Sequence, residues 1–189
     1  MHYDLRMSYF SQVQQWSSKF LFKGKRIAFR AERKDDLKSI WKMYSTLGKQ
    51  SIENLPPISK NLVERWVKNQ DFDKTLVIVA LHEDMVVGRA VLHFGEHDSI
   101  NHKGEFGVVV HDDFQGLGIG SKLTEIMIGF AQSKGLRKVF LEVFSGNDVA
   151  IHVYEKFGFV SEGLFRDHYF FRNQFYDVIV MGKMLETEQ

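Results

Sequence analysis

The stretch that decides the fold covers residues 108–121 and reads VVVHDDFQGLGIGS. An apolar run is followed by a short acidic turn and then by Gly116, Gly118 and Gly120, which open a segment with helical periodicity. Glycine costs roughly 1 kcal/mol against alanine inside a helix, so this spacing indicates that something must approach the backbone closely. The free N–H groups and the dipole of a helix start bind phosphate. Because no Gly-Lys-Ser/Thr order follows, we expect a pyrophosphate rather than a nucleoside triphosphate.

The composition argues against several classes of protein. The 25 basic and 24 acidic residues leave a net charge of +1, which gives no electrostatic case for nucleic acid or an anionic membrane. The absence of cysteine removes disulfides, thiolate metal ligands and a cysteine nucleophile. No apolar run approaches the roughly 18 residues of a membrane span, and residues 1–22 lack the apolar core of a signal peptide. A cytoplasmic location is therefore expected.

Histidine and acidic residues give no metal motif. The spacings among His93, His97, His102 and His111 match no compact metal site. The acidic pair Asp112-Asp113 is more typical of a turn than of a carboxylate ligand set. We therefore predict that the protein uses no metal.

Hydrophobic periodicity predicts the element order β-α-α-β-β-β-α-β-α-β-β, a mixed sheet with flanking helices. The strands are expected near residues 26–31, 75–81, 85–94, 105–110, 138–144, 159 onward and 176–185, and the helices near 37–44, 59–69, 118–134 and 147–157. Residues 25–187 are predicted to form a single domain. Residues 1–24 form an N-terminal extension of unclear role, whose aromatic residues suit an extra helix packed on the domain, a partner contact or a partly ordered arm.

Two kinds of phosphate site fit a strand, a glycine-rich turn and a helix. The first is a dinucleotide site, for which Glu142 lies about where a ribose-binding acid belongs. However, Gly116-x-Gly118-x-Gly120 is not the Gly-x-Gly-x-x-Gly spacing, and Glu142 sits inside its strand. The motif also follows a predicted antiparallel hairpin, with no second βαβ unit for the other nucleotide. These observations disfavour the dinucleotide site.

The second kind of site binds acyl-coenzyme A, and here the sequence resembles a known family. Gln115-x-x-Gly118-x-Gly120 resembles the Arg/Gln-x-x-Gly-x-Gly/Ala signature of the GNAT superfamily of N-acetyltransferases. The downstream motif Asn147-x-x-Ala150-Ile151-x-x-Tyr154-x-Lys156-x-Gly158-Phe159 and the element order are similar as well, over about residues 26–185. The resemblance implies an α/β (α+β) GNAT fold, with a mixed, mostly antiparallel sheet of about seven strands and about four helices. It also implies that two strands splay apart at an acetyl-CoA wedge.

The resemblance implies an acetyl-CoA-dependent N-acetyltransferase, in which a neutral primary amine attacks the thioester directly. Acetyl-CoA would be the cosubstrate. The backbone of Val108, Val109 and Val110 would pair with the pantetheine arm, in addition to being a buried strand. The pyrophosphate would be held by the backbone amides of the loop residues Gln115, Gly116, Leu117, Gly118, Ile119, Gly120 and Ser121.

Four side chains are candidates for the chemistry. Tyr154 is the candidate general acid for the departing thiolate, or else a core tyrosine. Glu105 is the candidate base, direct or through water, or else part of a strand-edge ion pair, with Glu142 as the alternative base. Asn147 would bind pantetheine or line the cleft, or only cap its helix. Lys156 would meet a coenzyme phosphate or remain solvated.

The acceptor is less well defined by the sequence. The tail around Arg166, Tyr169 and Arg172 resembles that of YhhY-like acetyltransferases of amino acids and small amines, and ribosomal-protein N-terminal acetyltransferases share part of it. These three side chains would bind a substrate carboxylate or close the sheet edge. We expect a small amine or amino acid as acceptor. The sequence leaves two alternatives open: the acceptor is a protein lysine or N-terminus, or the protein is a non-catalytic acyl-CoA-binding module. It also leaves open whether the protein forms a homodimer.

Overall fold

A computed structural model describes residues 13–95 and 97–186. Its strands are β1 (Ser17–Phe22), β2 (Lys25–Ala31), β3 (Thr75–His82), β4 (Met85–Phe94), β5 (Lys103–Val110), β6 (Lys138–Phe144), β7 (Val160–Phe171) and β8 (Gln174–Met184). Its helices are α1 (Leu37–Ser45), α2 (Lys49–Glu53), α3 (Lys60–Lys68), α4 (Ile119–Ser133) and α5 (Asp148–Lys156). Among the described residues, no helix combines the length and the apolar character that a membrane crossing requires.

The eight strands form one sheet in the order β1-β2-β3-β4-β5-β6-β8-β7. Every neighbouring pair is antiparallel except β5 and β6, which run parallel. The predicted α/β fold with a mixed, mostly antiparallel sheet is therefore confirmed. Among the strands and α-helices given above, β1 and the short helix α2 were not predicted.

The extra strand comes from the N-terminal extension. Within this extension, residues 17–22 pair with β2 from Ser17↔Arg30 to Phe22↔Lys25. The prediction of a packed helix or an arm missed this strand, because the segment has no clear alternation and its partner supplies the register. Phe20 and Phe22 lie with their ring centroids 5.8 and 6.0 Å from that of Phe29. Residues 1–12 of the predicted extension lie outside the described residues.

The sheet is covered on both faces. One core cluster packs Leu123 of α4 and Tyr154 of α5 against strand side chains such as Leu92 and Leu141. A second cluster packs α1 and α3 against Val79 and Leu81 on the opposite face. Because both faces are covered, the residues of β3 are buried almost without interruption, which is the pattern of a central strand.

Strands β5 and β6 part soon after they meet. They pair only at Lys103↔Lys138, Gly104↔Val139 and Glu105↔Phe140, although β5 continues to Val110 and β6 to Phe144. The unpaired halves leave an opening through the sheet. This confirms the predicted splay and determines where the site lies.

Candidate active site

A cavity of about 1140 Å³ fills the opening between β5 and β6. Its wall is formed from both faces of the sheet, since residues alternate between faces along each strand. The glycine loop before α4 and one side of α5 form the first half of this wall. Helix α3, the segment before it and the opposite face of the sheet form the second half. We call these the α5 side and the α3 side.

The glycine loop has the geometry of an anion-binding nest. Gly116 and Gly118 have φ values of 66° and 97°, which side chains rarely adopt, and Gly118 is the N-cap of the 15-residue helix α4. Successive amides in such conformations point into a common concavity. The cavity wall includes six of the seven loop residues predicted to bind the pyrophosphate: Gln115, Gly116, Gly118, Ile119, Gly120 and Ser121. Leu117 instead packs against the core on the α4 face.

The free end of β5 forms the floor between the two sides. Val108, Val109 and Val110 all line the cavity. Val108 and Val110 pack toward the cluster under α4, and Val109 packs toward the cluster under α1 and α3. Beyond Glu105 this strand pairs with β4 but not with β6. One edge of its backbone is therefore open to an extended ligand.

Tyr154 lines the α5 side and is 6% exposed. Its ring contacts Phe106 edge-on, with centroids 6.1 Å apart, and lies 5.7 Å from the ring of Phe159. Burial raises the pKa of Tyr154 well above its usual value, so the phenol is protonated at neutral pH. Asn147 also lines the cavity while its Oδ1 accepts a hydrogen bond from the Ala150 amide at 3.3 Å, so the helix cap and the wall position coexist.

The cavity wall includes Glu142 but neither Glu105 nor Lys156. The register explains the difference between the two glutamates. Glu105 lies at the last paired position of β5 and β6, below the splay, whereas Glu142 is two residues further along β6, where the strands have parted. Lys156 lies in the last turn of α5.

Glu142 is held by the β7 strand. The hydroxyl of Tyr169 donates a hydrogen bond to Glu142 Oε2 at 2.9 Å, and His168 Nε2 lies 3.8 Å from the same oxygen. Burial raises the pKa of Tyr169 to about 12, with further contributions from this hydrogen bond and from the charges of Glu142 and Glu105. Among the described residues, none donates a hydrogen bond to Oε1 of Glu142. This oxygen is available to a ligand.

Of the three tail residues considered for a substrate carboxylate, Tyr169 lines the cavity and Arg166 and Arg172 do not. Arg172 Nη1 donates instead to the carbonyl oxygen of Ile52 at 2.9 Å. This hydrogen bond connects the tip of the β7–β8 hairpin to helix α2.

A buried ion pair on the α3 side was not predicted from the sequence. Arg89 Nε donates to Glu32 Oε2 at 2.6 Å, and the two residues are 7% and 2% exposed. Burial opposes the charge of Arg89, but Tyr44 and Glu32 outweigh it and keep its pKa raised. The guanidinium lies 5.4 Å from the ring of Trp66. The sequence signal that could have indicated this pair is an arginine inside the apolar run of β4.

A carboxylate joins the two sides of the cavity. Asp112 Oδ2 accepts from the Gly48 amide and its Oδ1 accepts from the Ser51 hydroxyl, both at 2.7 Å. Gln115 Nε2 donates to Ser51 Oγ at 2.9 Å and to the carbonyl of Val110 at 3.0 Å. We call these contacts the Asp112 clasp. It holds helix α2 against the glycine loop, so Asp112 is more than a turn residue.

The fold and the cavity together define a class of α/β domain in which a glycine loop at a helix N-terminus and a splayed strand pair adjoin one cleft. The profile of the Acetyltransferase (GNAT) family matches residues 38–159, and the chain belongs to this family. The enzymes of this family use acetyl-CoA as cosubstrate, which agrees with the predicted resemblance.

Individual relatives are distant. L-amino acid N-acyltransferase MnaT of Escherichia coli is 28% identical over 139 residues, covering 71% of this chain and 80% of that protein. Spermidine N(1)-acetyltransferase of Escherichia coli is 28% identical over 87 residues, covering 46% of this chain and 47% of that protein. This match thus spans less than half of the relative. The structure of yncA from Salmonella typhimurium, with its cofactor acetyl-CoA, superposes with a TM-score of 0.73 at 20% identity, over 86% and 96% of the two chains.

Because of the Asp112 clasp, we expect the free energy of unfolding to depend on pH. Burial acts to raise the pKa of Asp112, but the hydrogen bonds from Gly48 and Ser51 outweigh it and lower the pKa. The stabilisation is therefore present above the usual aspartate pKa of about 3.9 and is lost as the pH falls through the folded-state value. We expect Asp112→Asn to lower the free energy of unfolding by about 1 kcal/mol at neutral pH, with the difference shrinking in acid. Urea unfolding across pH measures this.

Asp113→Asn is the matched control, because the Asp113 side chain is 82% exposed. It should change the free energy of unfolding by less than about 0.5 kcal/mol. Equal losses in the two variants would show that the clasp contributes no specific stability.

Proposed function

We propose that this protein is an acetyl-CoA-dependent N-acetyltransferase that acts on the primary amine of a small molecule, with an amino acid favoured over a polyamine. One observation carries the proposal. A single cavity joins the glycine loop and Tyr154 on one face of the sheet to Glu142 on the other face, through the opening between β5 and β6. Such a passage lets an activated acyl group and an amine meet from opposite sides.

The α5 side suits the coenzyme. The nest at Gly116 and Gly118 offers backbone N–H groups and the positive end of α4 to a pyrophosphate. The open edge of Val108–Val110 offers backbone donors and acceptors to an extended amide-containing arm. The coenzyme supplies an acetyl group activated as a thioester. A backbone N–H at this end of β5 would polarise the thioester carbonyl.

The proton transfers are assigned to two residues. Glu142, through its available Oε1, would accept a proton from the incoming ammonium and leave a neutral amine to attack. Tyr154, protonated because it is buried, would donate a proton to the departing thiolate. Glu142 replaces Glu105 as the proposed base because Glu142 alone of the two lines the cavity.

The α3 side favours an acceptor with few positive charges, since its wall also carries the basic residues Arg65 and Lys74. Its wall combines Trp66, Leu55 and Ile58 with Glu142. The other acidic side chain that lines this side, Asp71, lies 4.0 Å from Lys74. A polyamine pocket would need several unpaired carboxylates. The name of the relative MnaT specifies L-amino acids as substrates. An acceptor with one amine agrees with a wall in which, among the described residues, Glu142 is the single carboxylate without a lysine or arginine partner.

The first prediction from the proposed function concerns coenzyme binding. Isothermal titration should show that the protein binds acetyl-CoA and not NAD. Gly118→Val should weaken acetyl-CoA binding at least about tenfold, because a side chain at a φ of 97° strains the nest. Gly129→Val is the control, since Gly129 lies in the same helix next to open space. A folded wild-type protein that binds no acetyl-CoA would contradict the proposed function.

The second prediction concerns the general acid. Tyr154→Phe should lower turnover by about 10²- to 10⁴-fold. Coenzyme affinity should stay nearly constant, because the ring contacts with Phe106 and Phe159 do not need the hydroxyl. Thiol release with a panel of L-amino acids, spermidine and short peptides measures the rate and tests the acceptor class. Tyr176→Phe, which alters a tyrosine outside the cavity wall, controls for general damage. Unchanged turnover in Tyr154→Phe would remove the assignment.

The third prediction separates the two glutamates. Glu142→Gln should lower kcat/KM at neutral pH by about 10²-fold or more and flatten its rise with pH, because the amide cannot accept the proton. Glu105→Gln should leave kcat/KM and its pH dependence nearly unchanged, since Glu105 does not line the cavity. The reverse result would return the base to Glu105.

A further inference from the structure

The hairpin of β1 and β2 places a lysine beside the glycine loop. Its two-residue turn is Lys23-Gly24, with φ values of 45° and 84° and Phe22 paired with Lys25. This is the left-handed turn that connects tightly paired antiparallel strands. Lys23 is exposed at the tip, and its Nζ donates to the carbonyl oxygen of Gly116 at 3.3 Å.

Aromatic contacts hold the hairpin in this position. A Cβ atom built on Gly118 would lie 3.7 Å from the ring of Phe22, which places that ring directly against the loop. Lys122 of α4 lies with its Nζ 4.3 Å from the ring centroid of Phe20. Lys25 lies with its Nζ 5.2 Å from the ring centroid of Phe114, a residue of the cavity wall. The tip is thus attached to the loop on both sides.

Among the described residues, no carboxylate pairs with the charge of Lys23. Within residues 13–95 and 97–186, no carboxylate lies within 4 Å of its Nζ. By contrast, Lys122 lies 2.9 Å from Glu125. An unpaired cation against a carbonyl of the phosphate loop raises the local potential where a polyanion would lie.

We propose that Lys23 is a binding residue for a phosphate of the coenzyme and extends the glycine loop with a side-chain cation supplied by the N-terminal hairpin. The proposal rests on the proposed coenzyme. Lys23 lies outside residues 38–159, the part that matches the family profile, so the profile does not include this contact. Two phosphates of coenzyme A have the required chemistry, the pyrophosphate and the 3′-phosphate. Lys23 is not part of the cavity wall, and its position on the outer side of Gly116 favours the 3′-phosphate.

The test is isothermal titration of the full chain with coenzyme A and with 3′-dephospho-coenzyme A at low ionic strength. Lys23→Met keeps the aliphatic stem and removes the charge. We expect it to weaken coenzyme A binding about fivefold, the effect of an exposed ion pair at favourable geometry. The difference should fade as salt is raised. Lys23→Arg retains the charge and should bind like the wild type.

Lys19→Met is the matched control, because Lys19 is exposed on strand β1, four residues before Lys23 and away from the turn. A loss confined to coenzyme A assigns Lys23 to the 3′-phosphate, and equal losses for both ligands assign it to the pyrophosphate. Wild-type affinity in Lys23→Met, or an equal loss in Lys19→Met, would overturn the inference and leave the proposed function standing. A wild-type protein that binds neither ligand would instead overturn the proposed function, and this inference with it.

Discussion

The separation of β5 from β6 after Glu105↔Phe140 is the constraint on which the rest of the structure depends. Two strands that stayed paired to their ends would close the sheet and leave the two faces without a connection. Because they part, the backbone of Val108–Val110 loses a partner on one side and the cavity reaches both faces. The helices α4 and α5 are placed at this opening, so the glycine loop and Tyr154 face it.

The two sides of the cavity are mechanically joined. Asp112 and Gln115, which flank the start of the glycine loop, hold the wall of the α3 side through Gly48 and Ser51. These hydrogen bonds fix the position of helix α2 relative to the glycine loop. The N-terminal hairpin contacts the same loop from its outer side through Lys23. Two segments that are distant in sequence, the start of helix α2 and the N-terminal hairpin, therefore contact the same short loop.

The buried pair Arg89 and Glu32 is a costly feature of the α3 side. Removing two charges from water is expensive, and good geometry with additional partners is needed to offset that cost. Tyr44 and the ring of Trp66 provide such partners for the guanidinium. The pair links β4 to the end of β2 beneath α3, so it positions the apolar wall and leaves Glu142 as the carboxylate that faces the opening.

Local sequence determined the helices and strands with clear periodicity, the glycine loop and the family, because period, turn residues and a spaced motif are all written within short segments. Tertiary structure alone decided the rest. Strand β1 and helix α2 depend on partners distant in sequence, β2 and Asp112. Which of Glu105 and Glu142 lines the cavity depends on where two strands stop pairing, and the position of Lys23 depends on a hairpin packed on a loop 93 residues away. Such contacts follow from packing and register, which no local pattern encodes.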